Sequence, residues 1–220
     1  MSVVITNVMA VSLDGRIGKH ALESDVERRE YNFTNEDDRE WVRDLLTQAD
    51  AVVTGANSLR ASGRAWDVKN DHGRCPTWVV LSKHGLDESL PFWNQRNVDR
   101  VLVSSVELQQ DLCRSKDVTS WILPNEGIAS ALVKRLESQK LNRVLLFGGG
   151  AINKLFYQEG LVDFAKITLS PLIIGGLESP HFVDPGLPSC IKMTLMSSVI
   201  KGSLVFLTYQ VQKLEPKRVL

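Results

Sequence analysis

No stretch of the chain approaches the roughly 20 apolar residues a membrane-spanning helix needs, so helical passage through a bilayer is excluded and a soluble protein is expected. Excess charge of either sign is also missing. With 26 basic and 26 acidic side chains, no global field draws the chain to nucleic acid or anionic lipid, and any phosphate must be recognised locally. Cysteine is sparse: Cys75, Cys113 and Cys190 stand far apart, with no C-x-x-C spacing, so no metal site is expected. Reduced, buried thiols of a cytoplasmic protein are the expectation. The opening "MSVVITNVMAVSLDG" has no basic leader region and runs straight into Asp14 and Gly15, as a mature first strand would. Repeats and low-complexity linkers are absent too. Neither "DVKNDHGR" nor the segment from Gly175 to Ser189 marks a boundary, so residues 1–220 are expected to form a single domain.

The 43% apolar content is enough for a substantial core, and it is distributed in alternating strand-like and helix-like runs. Strands are expected at "VVITNVMAV", "DAVVTG", "TWVVLS", "DRVLVSS" and "NRVLLF". Helices are expected at "NEDDREWVRDLLTQA", "NSLRAS", "GIASALVKRLESQ" and "GAINKLFYQEG". In the first of these helices Asn35 is available as the cap, and Trp41, Leu45 and Gln48 share a face. Further strands follow in "FAKITLSPLI", "IKMTLMSSVI" and "SLVFLTYQVQKL", the last pair reading as a hairpin around Lys201 and Gly202. This pattern defines the α/β class, with a mostly parallel central sheet flanked by helices and a C-terminal antiparallel hairpin.

Gly55 closes the second strand, and Gly148, Gly149 and Gly150 stand between a strand and a helix. In open α/β sheets ligands sit beyond the carboxyl ends of strands, where both turns fall. Free N–H groups at a helix start suit a phosphate or pyrophosphate, though a tight connection without ligand would use the same residues. The usual dinucleotide fingerprint is absent, because G-x-G-x-x-G would need glycine where Asn153 stands.

The stretches "NVMAVSLDGRIG", "DAVVTGANSLRASGR", "VVLSK", "LLFGGGAINKLF", "GLVD" and "SPLIIGG" occur in this order, and together they resemble the RibD C-terminal (pyrimidine reductase) domain family of the dihydrofolate reductase-like superfamily. The resemblance runs from about Val3 to Asp184. It implies an NADPH-dependent reductase that opens the ribose of 5-amino-6-(5-phosphoribosylamino)uracil, or a related pyrimidine, by hydride delivery. It also implies a homodimer. Carried over by position, Gly148, Gly149, Gly150 and Ala151 would cradle the cofactor, with Gly55, Ala56, Asn57 and Ser58 forming the second turn. Ser82 and Lys83 would meet the adenosine 2′-phosphate, unless Lys83 is only a solvated lysine. Asp14 would be the catalytic acid, although Asp-Gly also makes plain turns. Asn7 and Ser12 would face the substrate, with Asn7 alternatively a satisfied strand amide, and Ser62 and Arg64 complete the substrate set.

Some family features are missing. Phe147 stands where the family has Glu, Ser62 to Arg64 replace an Asp-Asp-Pro-like stretch, and Phe164 replaces the Glu after "GLVD". Two of these features, the apolar Phe147 and "SLRASGR", resemble dihydrofolate reductases, which leaves a dihydrofolate or pterin substrate open. In that case Asp37, four residues before Trp41, would share a pocket with it. A non-catalytic nucleotide-binding protein is the third reading. Deaminase chemistry is excluded, since H-x-E with P-C-x-x-C is absent.

Overall fold

Side chains alternate across a strand, and runs such as "AVVTG" and "TWVVL" are apolar at nearly every position, so both faces of their strands must be covered. The computed structural model, which describes residues 2–105 and 117–213, does this with helices on both sides of one sheet. In chain order the elements are β1 (Val4–Ser12), α1 (Asp25–Glu30), α2 (Glu36–Gln48), β2 (Ala51–Gly55), α3 (Ala56–Ser62), β3 (Thr77–Leu81), β4 (Arg100–Ser104) and β5 (Val118–Ile122). There follow α4 (Ile128–Ser138), β6 (Arg143–Gly148), α5 (Gly150–Gln158), β7 (Phe164–Ser170), β8 (Met193–Lys201) and β9 (Leu204–Val211).

The nine strands run in the order β5-β4-β3-β2-β6-β1-β7-β9-β8. Pairing is parallel from β5 to β7, and β9 and β8 join antiparallel. Val53, Val79, Val101 and Leu146 point to one face, against Leu132 and Leu136 of α4 and Phe156 of α5. Their neighbours Val52, Val80, Leu102 and Leu145 point to the other, against Leu46 of α2 and Leu59 of α3. Each such side chain, fully buried, contributes about 1.5–3 kcal/mol.

The expected strands and helices are present, the hairpin included, with Gly202 at φ 57° in its turn. Asn35 caps α2 by accepting from the Asp38 N–H at 3.1 Å. The buried face of α2 differs from expectation: Asp38 and Leu46 turn inward, Gln48 is exposed, and Trp41 stacks edge-on against Phe206 of β9. The helix docks with its Asp38–Val42–Leu46 stripe because Leu46 seals the sheet. The thiols also differ, since Cys75 is half-buried and Cys190 exposed, while Cys113 lies outside the described residues. Helix α1, strand β5 and a 3-10 turn at Pro91–Asn94 were not anticipated.

Candidate active site

A cavity opens on the α2 and α3 face of the sheet, walled by Val8 to Ala10 of β1, Thr54 of β2 and Thr168 of β7. Gly149 stands at one side of it, and the Glu23 to Thr34 segment with α1 covers another. Asp38 is the carboxylate set into its wall, only 8% exposed. Thr168 Oγ1 donates to Asp38 Oδ1 at 2.6 Å, which leaves Oδ2 without a protein donor among the described residues. Burial pushes the Asp38 carboxyl above the ordinary carboxylate range. The Thr168 hydrogen bond and the Arg28 charge oppose that shift, and Asp25 adds to it.

The second buried acid, Glu23, is engaged through one oxygen. Its Oε2 accepts from Tyr31 Oη at 2.8 Å and from the Lys19 N–H at 3.0 Å, and it pairs with Arg28 Nε at 3.5 Å. This cluster anchors the segment to which α1 belongs. Phe147 lines the cavity and meets Trp78 edge-on at 5.8 Å between ring centroids, so an apolar wall occupies the place where a carboxylate was missed in the sequence.

The three glycines divide by purpose. At Gly148, with φ 44°, a Cβ would run into the Asn153 side-chain amide, and at Gly150 it would run into Asp184 and the His181 carbonyl. These two glycines make room for the chain's own atoms. Gly149, with φ 89°, has only Ser58 Oγ near its absent Cβ, at 3.4 Å, and it alone of the three lines the cavity. The second turn abuts the first: a Cβ on Gly55 would stand 2.9 Å from Ile152 Cγ1, and Ser58 Oγ donates to Gly148 O at 3.2 Å. Neither α3, starting at Ala56, nor α5 carries a side-chain cap, and Ala151 is exposed in the first turn of α5. Open helix starts beside a side-chain-free residue fit a dinucleotide phosphate. Asn57 is exposed, with Oδ1 accepting from Arg60 Nη1 at 3.0 Å.

The remaining expected residues lie apart from the cavity or spend their polar groups elsewhere. Asn7 is fully buried: Nδ2 donates to Leu146 O at 2.8 Å and to Asn153 Oδ1 at 3.1 Å, while Oδ1 accepts from Tyr157 Oη at 3.1 Å. It is a satisfied strand amide that ties β1 to β6 and α5, not a residue facing substrate. Ser12 Oγ donates to Asp14 Oδ1 at 2.6 Å. Asp14 Oδ2 accepts from the Gly175 N–H at 2.8 Å and Oδ1 from the Ile174 N–H at 3.1 Å. These donors, Ser12 first, hold its carboxyl down at about 2. Asp14 stands outside the cavity wall and clasps two loops, the turn after β1 and the segment at Ile174 and Gly175. Ser82 Oγ donates to Gly85 O at 2.6 Å, so its hydroxyl shapes the loop in which Lys83 is exposed. Ser62 lines the cavity, but Arg64 is exposed and pairs with Asp67 at 3.4 Å. Asp37 also points away, toward Lys201 of β8 at 3.9 Å. The pocket carboxylate is its neighbour, Asp38.

Reasoning from sequence missed Asp38, Thr168 and Glu23. The Ser24-x-x-Glu27 capping box, formed in the structure, was a signal for α1, but nothing local distinguished Asp38 from Asp37.

The fold and the sequence have counterparts among known proteins. The chain belongs to the RibD C-terminal domain family, whose model matches residues 3–205. Among curated proteins it is 27% identical over 194 residues to the 2,5-diamino-6-ribosylamino-4(3H)-pyrimidinone 5′-phosphate reductase of Archaeoglobus fulgidus, covering 82% of this chain and 85% of that one. The protein of the same name from Methanothermobacter thermautotrophicus is 24% identical, covering 95% and 98% of the two chains. Among solved structures, a pyrimidine reductase-like protein of Corynebacterium diphtheriae superposes with a TM-score of 0.80 at 20% identity, covering 96% of this chain and 92% of that one. The Saccharomyces riboflavin biosynthesis reductase Rib7 superposes at 0.71 with 17% identity, covering 96% and 90%. These likenesses confirm the dihydrofolate reductase-like fold. Among the described residues no helix is long and apolar enough to cross a membrane.

Proposed function

We propose that this chain, as one reductase domain, reduces the ribosyl group of a phosphoribosylamino-pyrimidine with NADPH, in the manner of riboflavin biosynthesis, as a cytoplasmic homodimer. Bound NADPH would supply the hydride to C1′ of the sugar. The protein's part is placement. Gly149 leaves the backbone bare where a pyrophosphate would approach, with Gly55 and Ser58 beside it, and exposed Lys83 is the cation available to a 2′-phosphate. Phe147, Trp78 and Val42 give the cavity wall an apolar surface.

The observation that carries this reading is Asp38, buried in that wall and aligned by Thr168. A buried carboxylate with a free oxygen needs N–H donors. A 2-amino-4-oxopyrimidine presents two adjacent ones, the 2-amino group and a ring N–H; a uracil offers a carbonyl at position 2, which the carboxylate would repel. Asp38 therefore favours the diaminopyrimidinone named for the archaeal relatives over its deaminated counterpart. A dihydropterin carries the same amino-oxo edge, so Asp38 supports dihydrofolate as the second reading.

Loss of NADPH absorbance tests the choice, with the diaminopyrimidinone ribotide, the uracil ribotide and dihydrofolate offered as acceptors. The expected order of kcat/KM is diaminopyrimidinone first. Turnover of dihydrofolate alone would move the assignment to the pterin class, and NADPH binding without turnover of any acceptor would leave a nucleotide-binding protein.

A further inference from the structure

Two buried carboxylates line the cavity, and a pyrimidine edge read by Asp38 leaves Glu23 without a use. Glu23 is only 2% exposed. Its Oε2 takes every protein donor: the Tyr31 hydroxyl at 2.8 Å, the Lys19 N–H at 3.0 Å and Arg28 Nε at 3.5 Å. Oε1 accepts from no group among the described residues. The donors on Oε2 fix the carboxylate, so Oε1 is held in place and not free to turn. Gly18 permits this packing, because a Cβ there would stand 2.6 Å from Glu23 Oε2 and 3.3 Å from Arg28 Nη2. A buried carboxylate oxygen without a donor is costly, and the cavity is where a donor can arrive.

We infer that Glu23 Oε1 accepts from a ribose hydroxyl of the acceptor, and that this contact selects a ribotide over a pterin. The inference rests on the pyrimidine-ribotide reading above and adds a second point of recognition to it. Charge decides the kind of donor. Arg28 beside Oε2 already balances the carboxylate, so Oε1 calls for a neutral donor and not for a cation. The N–H donors of the amino-oxo edge fall to Asp38, and the sugar hydroxyls are the neutral donors that remain. Position agrees with this division. Arg28 and Arg29 of α1 line the same cavity, so the phosphate at the end of the sugar is drawn to the side where Glu23 stands. Dihydrofolate offers the same edge to Asp38 but carries no sugar, and it would leave Oε1 unpaired. A site built to bond a hydroxyl rejects the analogue that lacks it.

Isothermal titration calorimetry of the full chain tests the assignment, with the diaminopyrimidinone ribotide and its 2′-deoxy and 3′-deoxy forms as ligands. The parent should lose about 10-fold or more in affinity when one of these two hydroxyls is removed. Glu23→Gln should bind the ribotide about as weakly as the parent binds that deoxy form, with little further loss when the hydroxyl is absent. Tyr31→Phe touches only Oε2 and should keep the parent's ratio, which separates hydroxyl recognition from anchoring of the segment. Far-UV circular dichroism checks that each variant folds, and the comparison of ligands on the parent needs no variant at all. Equal affinity of the parent for all three ligands would overturn the role of Glu23, as would a Glu23→Gln variant that keeps the full preference. Turnover of the ribotide without that preference would leave the reductase standing and remove Glu23. Preferential binding of the ribotide without oxidation of NADPH would do the reverse, and no binding of any ribotide would overturn both.

Discussion

Asp14 and Asp38 are both aspartates beside β1 and β7, yet the fold gives them opposite surroundings. Asp14 lies in an exposed turn and accepts from Ser12, Ile174 and Gly175, so its charge is overpaid with donors and its pKa drops to about 2. Asp38 lies inside the cavity wall with a single side-chain donor among the described residues, Thr168, and burial pushes its pKa up. The motif "SLDG" is the more conspicuous in the sequence, but the carboxylate set into the cavity wall is the one in an ordinary acidic helix start. What separates them is the count of donors and the access to water, and both are properties of the folded molecule.

The contrast is sharpest in catalysis. Asp38→Asn should lower kcat/KM for the diaminopyrimidinone by about 2–4 kcal/mol, roughly 30- to 1,000-fold, since it removes one partner of a buried charge-assisted contact. NADPH affinity should hold. Asp14→Asn should change kcat/KM by no more than several-fold through loop movement. Steady-state kinetics of both variants with NADPH titrations decides the point, and a larger loss from Asp14→Asn would reverse the roles.

A second effect appears in stability. For Asp14 the folded pKa is depressed, so its contribution is fully present above the ordinary carboxylate pKa and is lost as pH falls toward about 2. Asp14→Asn should therefore melt below the parent at pH 7, with the two curves converging in strong acid. Equal offsets at every pH would mean that the clasp does not depend on its charge.

The smallest effect runs the other way. Asp38 has a raised folded pKa, so the folded state holds its proton more tightly than the unfolded chain does, and stability falls as pH rises from the unfolded carboxylate pKa through the folded value. Asp38→Asn should then melt above the parent near neutrality and match it more closely in acid. A variant less stable than the parent at pH 7 would show that the carboxylate is structural.

Much of the architecture was legible in the sequence. Runs such as Ala51 to Thr54 and Trp78 to Leu81 are apolar throughout because both faces of an inner parallel strand are covered, and Asn35 and Gly202 carry the local chemistry of a cap and a turn. Strand β5 was hidden because an edge strand with Thr119 and Ser120 outward has no apolar run to betray it. Helix α1, with six residues and no buried side chain, has no apolar stripe.

The sequence by itself determined the α/β layering, the order of most strands and helices and the C-terminal hairpin, because these follow from periodicity and from short-range residue choices that act within a few positions; the family followed from the resemblance of its ordered motifs. Only the tertiary structure decided where each of these residues stands and what it touches. Gly148 and Gly150 proved to make room for Asn153, His181 and Asp184, and Gly149 alone to face the cavity, because close approach is set by atoms distant in the chain. Asp38 was chosen over Asp37 by the rotation at which α2 docks on the sheet. That rotation is decided by how Leu46 and Val42 pack against distant strands, and no local pattern encodes it.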